Sequence, residues 1–129
     1  MTHTEWVHAA LTGHGPLILV VPADRIRAAG PWSGMEPPYI VHRPVAGEYA
    51  ATHQGASAPV ARFYQISVFA RALSEALRIA QLVADALQAG ASGGAAILAG
   101  VRYVPEEPML ERDIEPLVHV AIDATVEVN

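Results

Sequence analysis

The chain has 129 residues, enough for one hydrophobic core but not for two, so we predict a single domain over residues 1–129. Hydrophobic residues make up 52% and charged residues only 16%, a composition that excludes an intrinsically disordered chain. Acidic residues number 13 against 8 basic ones, giving a net charge of −5. The cations are all arginines scattered singly, which excludes the basic patch of a phosphate-gripping nucleic-acid binder.

Other features of the composition bear on assembly and location. Such sparse charge on a small protein suggests that other subunits cover part of its apolar surface. The absence of cysteine excludes disulfides, thiolate metal sites and a cysteine nucleophile. The N-terminal residues lack the pattern of a signal peptide, and the longest aliphatic run, Leu17–Val21, is far shorter than the ~20 residues of a membrane-spanning helix. We therefore expect a soluble protein made in the cytosol.

The N-terminal part predicts a helix followed by short pieces. Residues 4–11 form a short amphipathic pattern, with Thr4 as a candidate N-cap and Gly13 as the end of the helix. Three of its residues are expected to face the core: Trp6, Ala10 and Leu11. Residues 17–22 fit either a short strand or a buried connector, and residues 25–27 fit a short extended piece.

The central part predicts a β-hairpin. Prolines and glycines make residues 30–38 an irregular loop. Residues 39–45 show an alternating pattern and are rich in residues that favour β-strands, so they predict a strand. Pro44 indicates an edge position or a bulge in it. The next strand covers residues 60–70, so the two strands enclose a long loop at residues 46–59, and loops of that length are usually functional or disordered.

The C-terminal part predicts a helix and two strands. Residues 73–87 follow a period of 3.6, and their apolar positions are expected to face the core: Leu73, Ala76, Leu77, Ala80, Val83, Ala84 and Leu87. Residues 96–104 predict a strand interrupted at Gly100, and residues 118–128 alternate as a half-buried antiparallel strand. The fold class is therefore α+β, an antiparallel sheet of about four to five strands with two helices packed on one face.

The sequence lacks the motifs of common catalytic and cofactor sites, so we expect neither an enzyme nor a cofactor. It contains no glycine-rich phosphate loop and no nucleophile elbow. The six histidines lack the spacing of a helical zinc site and are interpreted as surface or edge residues: His3, His8, His14, His42, His53 and His119. Two carboxylate pairs, Glu106 with Glu107 and Asp113 with Glu115, fit a solvated acidic loop better than an acid–base pair.

Several short stretches, taken in order, resemble one protein family across nearly the whole chain. They are Asp24-Arg25-Ile26, Pro37-Pro38-Tyr39-Ile40-Val41, Val45-Ala46-Gly47-Glu48, Gln65-Ile66-Ser67-Val68-Phe69-Ala70 after Arg62, the alanine-rich helix from Ser74 to Leu87, and the alternating strand Val118 to Val126. In this order they resemble the small tail-completion proteins of long-tailed phages, also called tail terminators or head-tail joining proteins, with relatives in gene transfer agents. The chain departs from the family at His42 and Arg43, where an aromatic and a small polar residue are more frequent.

The resemblance implies a structural virion protein with no catalytic role. Such proteins typically form a hexameric ring that caps the finished tail tube, so the expected partners are other copies of the chain, the major tail tube protein and a head-side neck protein, either a stopper or an adaptor. DNA would pass through the lumen without specific binding, which suits an acidic protein because a cationic wall would hold the duplex. The expected location is the tail or neck of the virion, after assembly in the cytoplasm of a bacterial host.

Two segments carry the candidate functional residues. Four residues of the loop at 46–59 are predicted to contact the tail tube or an adjacent subunit, with the aromatic side chain as the anchor: Glu48, Tyr49, His53 and Gln54. Five acidic residues are candidates for the channel wall, although a solvated outer loop explains them equally well: Glu106, Glu107, Glu111, Asp113 and Glu115.

Two other interpretations stay open at this stage. One is a small α+β ligand-binding or enzymatic domain, which would be favoured if His42 and His119 converged with a carboxylate in a closed cavity. The other is a different ring protein of the neck, such as a head-side adaptor or stopper, which only its contacted neighbours would distinguish.

Overall fold

The computed structural model describes residues 1–28, 35–45, 60–105 and 117–129. Within these ranges a five-stranded sheet, in the order β1-β2-β3-β5-β4, carries helices on one face. The elements in chain order are α1 (His3–Thr12), α2 (Gly15–Ile18), a 3₁₀ turn (Ala23–Arg25), β1 (Ile26–Ala28), β2 (Tyr39–Pro44), β3 (Val60–Ala70), α3 (Leu73–Ala89), β4 (Gly94–Val104) and β5 (Val118–Val128). The α+β class and the strand number are as predicted from the sequence.

The first helix begins two residues earlier than predicted. Thr2 is the N-cap, because its hydroxyl accepts a hydrogen bond from the Glu5 backbone N–H at 3.0 Å and the Glu5 carboxylate accepts one from the Thr2 N–H at 3.2 Å. This reciprocal pair is a capping box. The assignment of Thr4 as N-cap was wrong, since Thr4 lies inside the first turn, whereas Gly13 ends the helix as predicted.

The sheet is mixed, since β1 runs parallel to β2 while the other pairs are antiparallel. The predicted hairpin of β2 and β3 is confirmed, with Tyr39 opposite Phe69 and Pro44 opposite Tyr64. β1 pairs only with residues 40–42 of β2, so Pro44 lies beyond it and its missing N–H costs no ladder bond on that side. Residues 17–22 contain no strand: the segment starts in α2 and continues as a connector that buries Leu17 and Val21 but leaves Leu19 exposed.

Helix α3 has the predicted period, but its buried face is rotated. Leu73 and Leu77, predicted to be buried, are 45% and 46% exposed, whereas Ile79 and Ala86 are fully or almost fully buried. The reason is that α3 packs against α1 and α2 as well as against the sheet. The side of α3 toward the other helices is therefore covered, and the side with the two leucines is not.

One core lies between the helices and the sheet, closed at one end by a tryptophan. The Trp6 side chain is fully buried, and its indole N–H donates a hydrogen bond to the Ala91 carbonyl at 2.9 Å. Gly94 lies so close that an added Cβ would be 2.7 Å from the Trp6 indole nitrogen and 2.6 Å from the Glu127 carbonyl oxygen. Only glycine fits there, which fixes where β4 begins against α1.

A β-bulge interrupts β4 near the predicted position. Ala99 has no partner on β5, and the register resumes with Gly100 opposite Asp123. A bulge of one residue reverses the alternation of side chains along the rest of the strand. Arg102 therefore lies on the open face, where its Nε donates to an Asp123 carboxylate oxygen at 2.8 Å, while Val101 and Tyr103 lie on the helix side.

Candidate functional site

The nine residues predicted to carry function lie outside the described residues. Those of the hairpin loop are Glu48, Tyr49, His53 and Gln54, and those of the acidic segment are Glu106, Glu107, Glu111, Asp113 and Glu115. Their contacts remain predictions, but the strands that precede and follow them are described.

Those strands place the two segments at opposite ends of the sheet. The segment at 46–59 leads into β3, which starts with Val60 opposite Val128. The segment at 106–116 joins β4 to β5 at the other end, where Val104 lies opposite His119. Nine residue steps of β5, from His119 to Val128, separate these two positions, which corresponds to about 30 Å of strand.

A chain of polar side chains crosses the core beneath α1. Nε2 of His42 lies 3.0 Å from Nδ1 of His8, and Nδ1 of His42 lies 2.7 Å from the Tyr64 hydroxyl. The Thr4 hydroxyl is a further hydrogen-bond partner of Tyr64. These bonds tie α1 to β2 and β3, and satisfying the imidazole on both sides is what makes a buried histidine tolerable.

The surroundings of this chain keep His42 neutral. Burial and, to a smaller extent, the proximity of His8 together lower the pKa of His42 to about 4. Burial likewise raises the pKa of Tyr64 to about 12. The interpretation of His42 as a surface or edge residue was wrong, since it is fully buried. The sequence did contain one signal of this burial: His42 lies two residues after Ile40, so both side chains point to the same apolar face of the strand.

The other strand histidine lies on the opposite face of the sheet. The His119 ring stacks on Phe69 with centroids 4.4 Å apart, and Phe69 stacks on Tyr39 at 4.9 Å. His42 is opposite Ile66 whereas His119 is opposite Phe69, so the two imidazoles point to different sides. The convergence that would favour an enzymatic or ligand-binding domain is therefore not present.

Two properties of the described ranges concern metal binding and membranes. Within residues 1–28, 35–45, 60–105 and 117–129, no group of three or more potential ligands is arranged to hold a metal ion. None of the helices in those same ranges is both long enough and apolar enough to cross a membrane.

Comparison with known families bears on the choice between a structural tail protein and an enzymatic domain. The profile described as tail completion protein gp17 matches residues 5–112, which is most of the chain. The protein belongs to the tail completion protein gp17 family. The family consists of structural phage tail proteins and is not a known enzyme family, so the predicted class of structural tail protein is confirmed.

The fold is also found in a solved particle. A chain in a structure titled "Virion of native gene transfer agent (GTA) particle" superposes with a TM-score of 0.63 at 19% sequence identity, covering 96% of this chain and 92% of that one. At this identity the likeness shows a shared fold. No match is found among curated protein sequences.

Proposed function

We propose that this tail completion protein forms a closed ring, a hexamer, on the head-proximal end of the finished tail tube and joins it to a neck protein, with DNA passing through the lumen. Membership of the family over residues 5–112 carries the proposal. The low share of charged residues, 16%, supports a molecule whose apolar surface is covered by neighbouring copies.

The positions of the two predicted contact segments, at opposite ends of the sheet, support a joining role. A protein that links two partners stacked along one axis needs contact segments at separate ends. The segments at 46–59 and 106–116 meet that need because they leave opposite ends of one hydrogen-bonded ladder. In this proposal Glu48, Tyr49, His53 and Gln54 contact the last ring of the tube or an adjacent subunit, and Tyr49 is the anchor.

The charge of the chain suits the passage of DNA. Each subunit carries −5, and the acidic residues of the segment at 106–116 are the proposed channel wall: Glu106, Glu107, Glu111, Asp113 and Glu115. A negative wall repels phosphates, so the duplex moves past without counterion-release binding.

Shortening the loop at 46–59 to a glycine-containing turn tests this function. The folded subunit should keep its thermal stability, because the core of the described residues is built from the helices, the strands and the connector after α2. Particle-producing cells should then make tails that fail to join heads or that grow past their proper length, as counted in electron micrographs. Ser57→Ala, in the same loop, is the control that should leave joining unchanged. Normal titres from the shortened variant would rule out the loop as a docking element.

The neighbours distinguish a tail terminator from another neck ring. Cross-linking within assembled particles should join this protein to the tail tube protein. Cross-links to the portal side alone, with none to the tube, would instead favour a head-side adaptor or stopper.

A further inference from the structure

Nine large apolar side chains are exposed among the described residues, and four of them belong to one edge of the sheet and the helix beside it. These four lie on the helix side of β4 and on the adjoining flank of α3, and we call them the β4 ledge: Leu73, Leu77, Val101 and Tyr103. They are 45%, 46%, 50% and 57% exposed, respectively. Exposed large apolar residues that share one surface indicate an interaction site far more strongly than scattered ones do.

The ledge exists because of the bulge at Ala99. Without the extra residue, strict alternation would put Val101 and Tyr103 on the open face and Arg102 on the helix side. The bulge turns the two apolar side chains toward the helices, yet α3 covers only the first half of β4, where Ala96 and Leu98 pack against the core. Bulges commonly re-aim side chains for a purpose.

The two halves of the ledge lie at the same level. Leu73 follows closely after the end of β3, where Ala70 is opposite Val118, and Tyr103 is opposite Val120 on the same strand. β3 and β4 are parallel, because each is antiparallel to β5. Crossovers between parallel strands are almost always right-handed, and that hand turns the flank of α3 with Leu73 and Leu77 toward β4.

β4 has few of the features that prevent an edge strand from pairing with a strand of another chain. It is 11 residues long, contains no proline, and its one charged side chain, Arg102, is engaged by Asp123 on the open face. Among the described strands, only β5 pairs with it. The bulge bends the edge, so we assign the contact to the side chains of the ledge rather than to a continuous added strand.

The charges around the ledge favour a second copy of this chain. β4 carries no carboxylate, so the strand itself adds no repulsion toward an acidic neighbour. Arg71 is exposed just before α3, beside Leu73, and adds a positive charge that attracts such a neighbour. We propose that the β4 ledge is the surface through which one subunit contacts the next; this inference rests on the ring proposed above.

Matched leucine substitutions test the ledge. In Leu77→Glu a carboxylate would be buried in an apolar contact, so the subunit concentration needed for half assembly should rise about tenfold or more, measured by native mass spectrometry and sedimentation. Leu19→Glu makes the same change at a leucine that is 87% exposed on α2's C-terminal side, and assembly should be unaffected. Both variants should retain the monomer's thermal midpoint. If both variants assemble equally well, the β4 ledge is not the contact between subunits, although the proposed ring still stands.

A cross-linking amino acid identifies the occupant. Benzoylphenylalanine in place of Tyr103, in particles built from a mixture of normal and isotopically heavy chains, should give light–heavy cross-links between copies. Cross-links confined to residues 106–116 of the same chain, or made to a different protein, would overturn the proposal. If the wild-type chain is a single copy in the particle, the ring itself fails, which is a different outcome from a ring that assembles without the ledge.

Discussion

Acidification should destabilise the protein through His42. In the folded chain burial lowers the pKa of His42 to about 4, from 6.5 for the free side chain. Above pH 6.5 neither the folded nor the unfolded state holds a proton on this ring. Between pH 6.5 and 4 the unfolded state binds the proton and the folded state does not, so the free energy of unfolding falls as the pH falls.

The size of the effect follows from that shift. A shift of one pKa unit corresponds to about 1.4 kcal/mol, so the full effect is about 3 kcal/mol and is reached below pH 4. At pH 5 the loss from His42 alone is about 2 kcal/mol by the same linkage relation. This is a large fraction of the stability of a small domain. The proton is hard to accommodate because the ring lies between His8 and Tyr64, with no acidic group among its hydrogen-bond partners.

Urea denaturation at pH 7.5 and pH 5.0 measures the effect, with His42→Gln as the variant that cannot titrate. The glutamine keeps hydrogen-bonding groups near His8 and Tyr64 but loses some stability at both pH values. The wild type should lose about 2 kcal/mol more than the variant between the two pH values, because contributions from titratable groups that do not contact His42 cancel in the comparison. Equal losses, or an NMR titration that places the pKa of His42 near 6.5, would refute the reasoning.

Three further outcomes follow from the fold and the charge. Gly94→Ala should lower the free energy of unfolding by about 1–3 kcal/mol in urea denaturation, because the new Cβ meets Trp6 and the Glu127 carbonyl, whereas Gly100→Ala, with open space around it, should cost much less. Thr2→Ala should cost about 1 kcal/mol by the loss of the capping box, and an unchanged thermal midpoint would contradict the assigned cap. The purified protein, at −5 per subunit, should not bind duplex DNA at physiological salt in a gel-shift titration, and tight, salt-sensitive binding would contradict a repelling channel.

The sequence predicts those features that depend on periodicity. Alternation identified β5, and the turn-free β-rich stretches on either side of residues 46–59 identified the hairpin. Periodicity alone could not locate the centre of the buried arc of α3, because Leu73 and Leu77 are as apolar as Ile79 and only the position of α1 and α2 decides which is covered. The parallel pairing of β1 with β2 was not predicted either, because a strand of three residues is too short to show an alternation that indicates its neighbour.

The burial of His42 could not be predicted from residue types alone. Polar residues in a strand are assigned to the solvent face by default, and His42 breaks that rule only because His8 and Tyr64, distant in sequence, supply its two hydrogen bonds. The departure from the family pattern at His42 marked the position without explaining it. A polar residue on an otherwise apolar strand face is therefore expected to have hydrogen-bond partners on the elements that pack against that face.

The central position of β5 bears on the proposal that one small domain joins two partners. β5 is paired along its length with β3 on one side and along most of it with β4 on the other, so its backbone hydrogen bonds are used on both edges. Such a ladder opens only with the whole fold. In the proposed ring it fixes the distance between the end of β4, which leads into the segment at 106–116, and the start of β3, which follows the segment at 46–59. The β4 ledge lies at the side of that ladder, at the level where β4 leads into the segment at 106–116, so the proposed contact between subunits adjoins that end and lies away from the end where β3 begins.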